Sequence, residues 1–153
     1  MLEELLRVED LVVHYETDDG IVKALNGINL DLKKGETLGL VGETGAGKTT
    51  LAKAIMRLIP DPPGKIKNGK IFFENRDILG ISVEEMRSIR GKKISMIFQD
   101  PMTSLNPVLT VGDQIAEVIK NHEEVSKGEA DRKGGEMLEL VGIPKDRAGE
   151  YPH

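Results

Sequence analysis

The octapeptide Gly42-Glu43-Thr44-Gly45-Ala46-Gly47-Lys48-Thr49 constrains this chain more than any other feature. It follows a short apolar run, Thr37–Val41, which has the length of a buried strand. It precedes Thr50–Ile59, where Leu51, Ile55, Leu58 and Ile59 fall on one helical face. A strand, a glycine-rich turn and a helix start therefore come in that order. Glycine lets the backbone curl until successive N–H groups point at a common centre, and the helix start adds its positive dipole end. Such a concavity suits phosphate oxygens.

Two side chains refine that reading. Lys48 is placed to reach the β- and γ-phosphates of a nucleotide, and the Thr49 hydroxyl to ligate Mg²⁺. The loop from Gly42 through Thr49, with Thr50 at the helix start, is the expected nucleotide-binding set. The other glycine fingerprint, Gly-x-Gly-x-x-Gly, fails: after Gly45-Ala46-Gly47 the third glycine position holds Thr50. The loop is that of a nucleoside triphosphate site.

Composition narrows the classes further. Among 153 residues, 39% are apolar and 31% charged, the profile of a soluble globular domain. The net charge of −5 argues against non-specific nucleic-acid binding, which needs a dominant positive field. The basic group Arg87, Arg90, Lys92 and Lys93 reads as a solvated helix end. With no cysteine, disulfides, thiolate zinc sites and cysteine nucleophiles are excluded. No apolar run approaches the ~20 residues that span a bilayer, and Met1–Glu9 lacks a signal-peptide pattern. Any membrane role is expected to run through a partner.

Along the chain, Leu5–Tyr15 and Ile21–Leu32 read as strands around a Thr17–Gly20 turn. Pro60–Gly64 stops the first helix. Lys70–Asn75 suggests a strand, and Ser82–Arg90 a short helix with Ser82 as N-cap and Glu85 three residues on. Ile94–Phe98 is a further apolar strand. Val111, Ile115, Val118 and Ile119 mark an amphipathic helix, and a second helix runs from about Ser126 to Val141.

Tyr15 ends the first strand in Leu11-Val12-Val13-His14-Tyr15, and Gln99 follows the strand Ile94–Phe98. With the glycine loop, these resemble the A-loop, Q-loop and Walker A of ABC transporter ATPases. The run Phe98-Gln99-Asp100-Pro101-Met102-Thr103-Ser104-Leu105-Asn106-Pro107 is similar to that of dipeptide and oligopeptide importer ATPases, including nickel-type relatives. The resemblance covers essentially the whole chain. It implies an α/β fold of the P-loop NTPase, ABC ATPase type: an N-terminal antiparallel β subdomain, part of a RecA-like core and much of a helical subdomain. Residues 1–100 would carry the β subdomain and partial core, and 101–153 an incomplete helical subdomain.

The resemblance also implies roles. Tyr15 would stack on adenine, its plain alternative being an ordinary strand-end tyrosine. Gln99 would contact Mg²⁺ or the attacking water, and would link nucleotide state to a transmembrane partner. Asp100 has a second reading as a Walker B acid, since an apolar strand precedes it. Against that, Gln99 intervenes and Pro101 stands where a catalytic Glu is expected. His153, in Tyr151-Pro152-His153, is not the family's switch histidine; it and His14 and His122 read as structural or solvated.

The sequence contains no signature motif, Walker B strand, D-loop or switch histidine. The expectation is an ATP-binding subunit that energises peptide import, present as an N-terminal portion that binds ATP with Mg²⁺ but does not hydrolyse it. Its expected partners are ABC permease subunits and a second ATPase subunit, homo- or heterodimeric, with no nucleic acid. It would sit peripherally on the cytoplasmic face of the cell membrane, touching the membrane only through the permease. The alternative is a P-loop module of another ABC-type ATPase, serving another solute or a nucleic acid. Gln99–Glu117 is the expected docking surface, with Met102, Leu105 and Pro107 as its apolar residues. Thr37–Val41 and Ile94–Phe98, apolar nearly throughout, are expected to need sheet neighbours.

Overall fold

The structure is a computed structural model that describes residues 3–100 and 104–153. It divides into two compact units, Met1–Arg87 and Ser88–His153. The boundary expected at residue 100 falls inside the second of these.

The first unit is built on an antiparallel sheet of order β2-β1-β3-β4. Strand β1 spans Glu4–Thr17, β2 Gly20–Lys33, β3 Gly64–Phe73 and β4 Arg76–Asp77. The turn between β1 and β2 is closed where the Thr17 hydroxyl donates to the Gly20 carbonyl at 2.8 Å. Along β1 the buried residues are Leu6 and Val8, then Leu11 and Val13. Strict alternation would bury position 10 instead. The change of phase is a bulge, visible as a register shift between Val8 and Leu11 on the β2 side. Asp10 takes a φ of 44° there. The Asn29 side chain seals the irregularity, accepting from the Asp10 N–H at 2.9 Å and donating to the Asp10 carboxylate at 3.0 Å. One extra residue thereby keeps four apolar side chains on one face of a strongly bent strand.

Helix α1 spans Lys48–Ile55 and buries Leu51 and Ala54, with Met56 buried at its C-cap. It stops earlier than the periodicity suggests, and Leu58 is left exposed. The chain then folds back through the prolines into β3, which begins at Gly64 rather than at Lys70. Ile71 and Phe73 complete the core face opposite Val8 and Leu6, their strand neighbours on β1.

Helix α2 spans Val83–Ile89. Its start has the reciprocal cap expected from Ser82 and Glu85. The Ser82 hydroxyl accepts from the Glu85 N–H, and the Glu85 carboxylate accepts from the Ser82 N–H, each at 3.1 Å.

In the second unit, α3 spans Val111–His122 and α4 Lys127–Leu140, followed by a 3₁₀ turn at Lys145–Gly149. Thr110 and Ser126 cap the two helices through their hydroxyls. Ala116 on α3 and Ala130, Gly134, Gly135 and Leu138 on α4 are buried, Gly134 against α3 and Gly135 against Lys145 of the 3₁₀ turn. Small residues allow the close approach: a Cβ at Gly134 would lie 3.4 Å from Ile115 Cγ2.

Two expected strands do not form. Thr37–Val41 and Ile94–Phe98 carry no ladder, apart from a single parallel bridge between Arg90 and Ile94. A strand exists only through a neighbour's N–H and C=O groups, and among the described residues neither run gains a ladder from one. Their apolar side chains are consequently uncovered, Val41 at 97% and Ile97 at 91% of full exposure.

Candidate functional site

Gly45 and Gly47 both take positive φ, 86° and 84°, and curl the chain between Val41 and α1. Gly47 is fixed twice over. A Cβ there would lie 2.6 Å from the Ala24 carbonyl oxygen and 2.8 Å from Leu25 Cδ2, so the loop is seated directly on β2. The Ala46 N–H closes a tight turn onto the Glu43 carbonyl at 3.2 Å.

The Lys48 ammonium folds back over this loop. It donates to the carbonyls of Gly42 and Glu43, both at 2.6 Å, which centres a positive charge above the glycines. Gly42 borders the same space, since a Cβ on it would lie 3.3 Å from Ala46 Cβ and 3.9 Å from Lys48 Nζ. Thr44 is exposed in the turn, Thr49 is exposed in the first turn of α1, and Thr50 beside it is half-buried.

The ends of the helices differ in a telling way. Ser82, Thr110 and Ser126 each supply an oxygen to a first-turn N–H of α2, α3 and α4, and each of those first turns carries an acidic residue. Helix α1 has Gly47 at its N-cap, no side-chain acceptor there and no acidic residue in its first turn. Its leading N–H groups thus meet no capping side chain, and its positive dipole end no carboxylate of its own first turn.

Tyr15 lies close to the loop along β2. It pairs with Val22, and Ala24, which seats Gly47, is two residues further on, a rise of about 6.6 Å. On its other side Tyr15 pairs with Gly64 of β3, and its ring edge lies over that glycine. The structure thus gathers Tyr15 and Gly42–Thr50 in one unit. Gln99 is exposed in a bend of the second unit. Asp100 follows it in irregular chain, without the strand a Walker B acid would end.

Of the expected docking loop, Met102 lies outside the described residues. Leu105, Val108 and Leu109 are exposed, at 38%, 74% and 39%. They do not fold away, because Gln114 of α3 pins the backbone instead. Its amide nitrogen donates to the carbonyls of Asn106 and Leu109 at 3.0 and 3.1 Å, and its oxygen accepts from the Asn106 N–H at 2.8 Å. Sequence reading missed Gln114, although a glutamine one turn inside a helix that follows a proline loop is well placed for such a clamp. It also missed Gly64, read only as part of a helix stop.

No helix among the described residues is long and apolar enough to cross a membrane. Residues 25–152 match the ABC transporter family. The chain is 52% identical to the oligopeptide transport ATP-binding protein OppD of Bacillus subtilis (strain 168), over 97% of this chain and 42% of that protein. It is 48% identical to the dipeptide transport ATP-binding protein DppD of the same strain, over 99% of this chain and 46% of that one. It therefore spans about half the length of the curated relatives it matches. Among solved structures it is similar to MJ0796, a bacterial ABC transporter cassette in dimeric form, with a TM-score of 0.79 and 26% identity over 97% of this chain and 62% of that one. A post-hydrolysis structure of the same cassette, with ADP and Pi, has a TM-score of 0.78 at 22% identity, covers the same shares of both chains, and bears on the fold alone. The antiparallel sheet with its helices accords with these likenesses, and the chain belongs to the ABC transporter family.

Proposed function

We propose that this chain is the nucleotide-binding part of an ATPase subunit that drives import of peptides. The observation that carries the reading is the Lys48 ammonium poised over a glycine cradle at an uncapped helix start. An incoming triphosphate offers that ammonium anionic oxygens in place of two neutral carbonyls, and gives the α1 N–H groups the acceptors they lack. Thr49 would hold Mg²⁺ through its hydroxyl, a hard oxygen ligand suited to that ion, and the ion would offset phosphate charge. Tyr15 would carry the adenine. Gln99 would sense the γ-phosphate end through Mg²⁺ or water.

Peptide as the solute rests on the names of the relatives and on the Phe98–Pro107 string. The subunit acts at the cytoplasmic face of the membrane, paired with a second ATPase subunit and docked on a permease. The exposed Leu105, Val108 and Leu109, on a backbone held by Gln114, supply an apolar contact for that permease. Uptake of a radiolabelled dipeptide by the full-length protein with its permease tests the whole reading. Uptake abolished by Lys48→Ala supports it. Uptake that persists in that variant overturns the role given to Lys48, and a complete system that carries only another solute overturns the peptide assignment.

A further inference from the structure

The Tyr15 ring is held by a feature outside the nucleotide motifs. Its Cε1 would lie 2.7 Å from a Cβ placed on Gly64, and Ile59 Cγ2 would lie 2.5 Å from the same point. Two side chains therefore converge on the glycine that opens β3. The backbone of Gly64 needs no left-handed conformation. What excludes any larger residue there is space alone. The surrounding chain is fastened: the Gly64 N–H donates to Pro60 at 2.7 Å, and the Glu16 N–H donates to Pro63 at 2.8 Å. At the other end, the Leu58 N–H donates to Lys53 of α1 at 2.7 Å. The segment from Leu58 to Gly64 thus ties the helix that opens at Lys48 to the strand end that bears Tyr15.

We propose that Gly64, with Ile59 beside it, is a positioning element that sets the Tyr15 ring and thereby the grip on the nucleoside, independently of the grip on the phosphates. The proposal rests on the reading of Tyr15 as the adenine platform. A methyl at Gly64 cannot coexist with the ring and Ile59 where they stand, so both must give. Gly47 has a different seat, on Ala24 and Leu25, and the Lys48 ammonium rests on the carbonyls of Gly42 and Glu43.

The test compares ATP with inorganic pyrophosphate by calorimetry on the full-length protein, in the parent, Tyr15→Ala, Gly64→Ala and the double variant. Tyr15→Ala is expected to weaken ATP about three- to tenfold and leave pyrophosphate unchanged, the scale of a lost ring stack. Gly64→Ala should weaken ATP by a similar factor, again with pyrophosphate unchanged, and should add nothing in the Tyr15→Ala background. ATP affinity unmoved by Tyr15→Ala would end the adenine reading and this proposal with it. A loss in Tyr15→Ala with none in Gly64→Ala would overturn the proposal alone. Should Gly64→Ala lose pyrophosphate as well, a sign of general damage, Ile59→Ala decides. Selective ATP loss there supports the proposal, and unchanged ATP affinity overturns it.

Discussion

Gly47 approaches Ala24 so closely that a single added carbon would sit 2.6 Å from the alanine's carbonyl oxygen. The glycine loop is thus anchored to β2 by contact as well as by its own curl. The φ of 84° at Gly47 adds a second obstacle, because a left-handed conformation costs an L-residue about 1–2 kcal/mol. Gly47→Ala is expected to lower ATP affinity more than tenfold. Gly35→Ala, at a positive-φ glycine with open space around it, should leave ATP binding near parent level. Equal ATP binding in the parent and Gly47→Ala, measured by calorimetry, would show that the loop does not depend on this seat.

The cap on α2 gives a stability prediction. Ser82→Ala should cost about 1 kcal/mol in urea unfolding, the usual loss for an N-cap hydroxyl. Glu85 is held below the ordinary carboxylate range first by its hydrogen bond from Arg76, then by the Ser82 N–H. A carboxylate lowered in the folded state stabilises at pH above its ordinary value and loses that contribution as pH falls through its folded value. The parent's urea midpoint should therefore fall more steeply than that of Glu85→Gln as pH drops from about 5 to about 3. Parallel curves would remove Glu85 from the account of α2.

The glycine turn before α1, the β1–β2 hairpin, the Ser82–Glu85 cap and both helices of the second unit were legible in sequence, because each is written in short-range chemistry. Glycine spacing, a hydroxyl with an acid three residues on, and helical periodicity all act within a few positions. What was not legible depends on distant partners. Thr37–Val41 and Ile94–Phe98 have strand composition, but composition cannot supply a neighbouring ladder. The bulge at Asp10 is sealed by Asn29, nineteen residues away, and no local pattern announces it. Tyr15 could be nominated from its string, whereas its seat on Gly64 required the β1–β3 pairing.

The uncovered runs lead to a prediction about association. Leu38, Leu40 and Val41 are exposed in the first unit, as are Ile97 and Phe98 in the second. Unpaired extended chain with bare apolar side chains is a template for intermolecular pairing. A polypeptide of these 153 residues should self-associate in light scattering, and Val41→Lys with Ile97→Lys should reduce that association. A stable, cooperative monomer would mean that these segments find cover within the chain.

The most direct measurement of the central claim is ATP binding by Lys48→Ala. The parent ammonium already sits 2.6 Å from two loop carbonyls, so its path to bound phosphate is short. Losing a charge-assisted contact of about 1.5–3 kcal/mol predicts at least a tenfold weaker ATP complex by calorimetry, with the fold intact by circular dichroism. Equal affinity in the parent and Lys48→Ala would contradict the assignment of this loop as the nucleotide site.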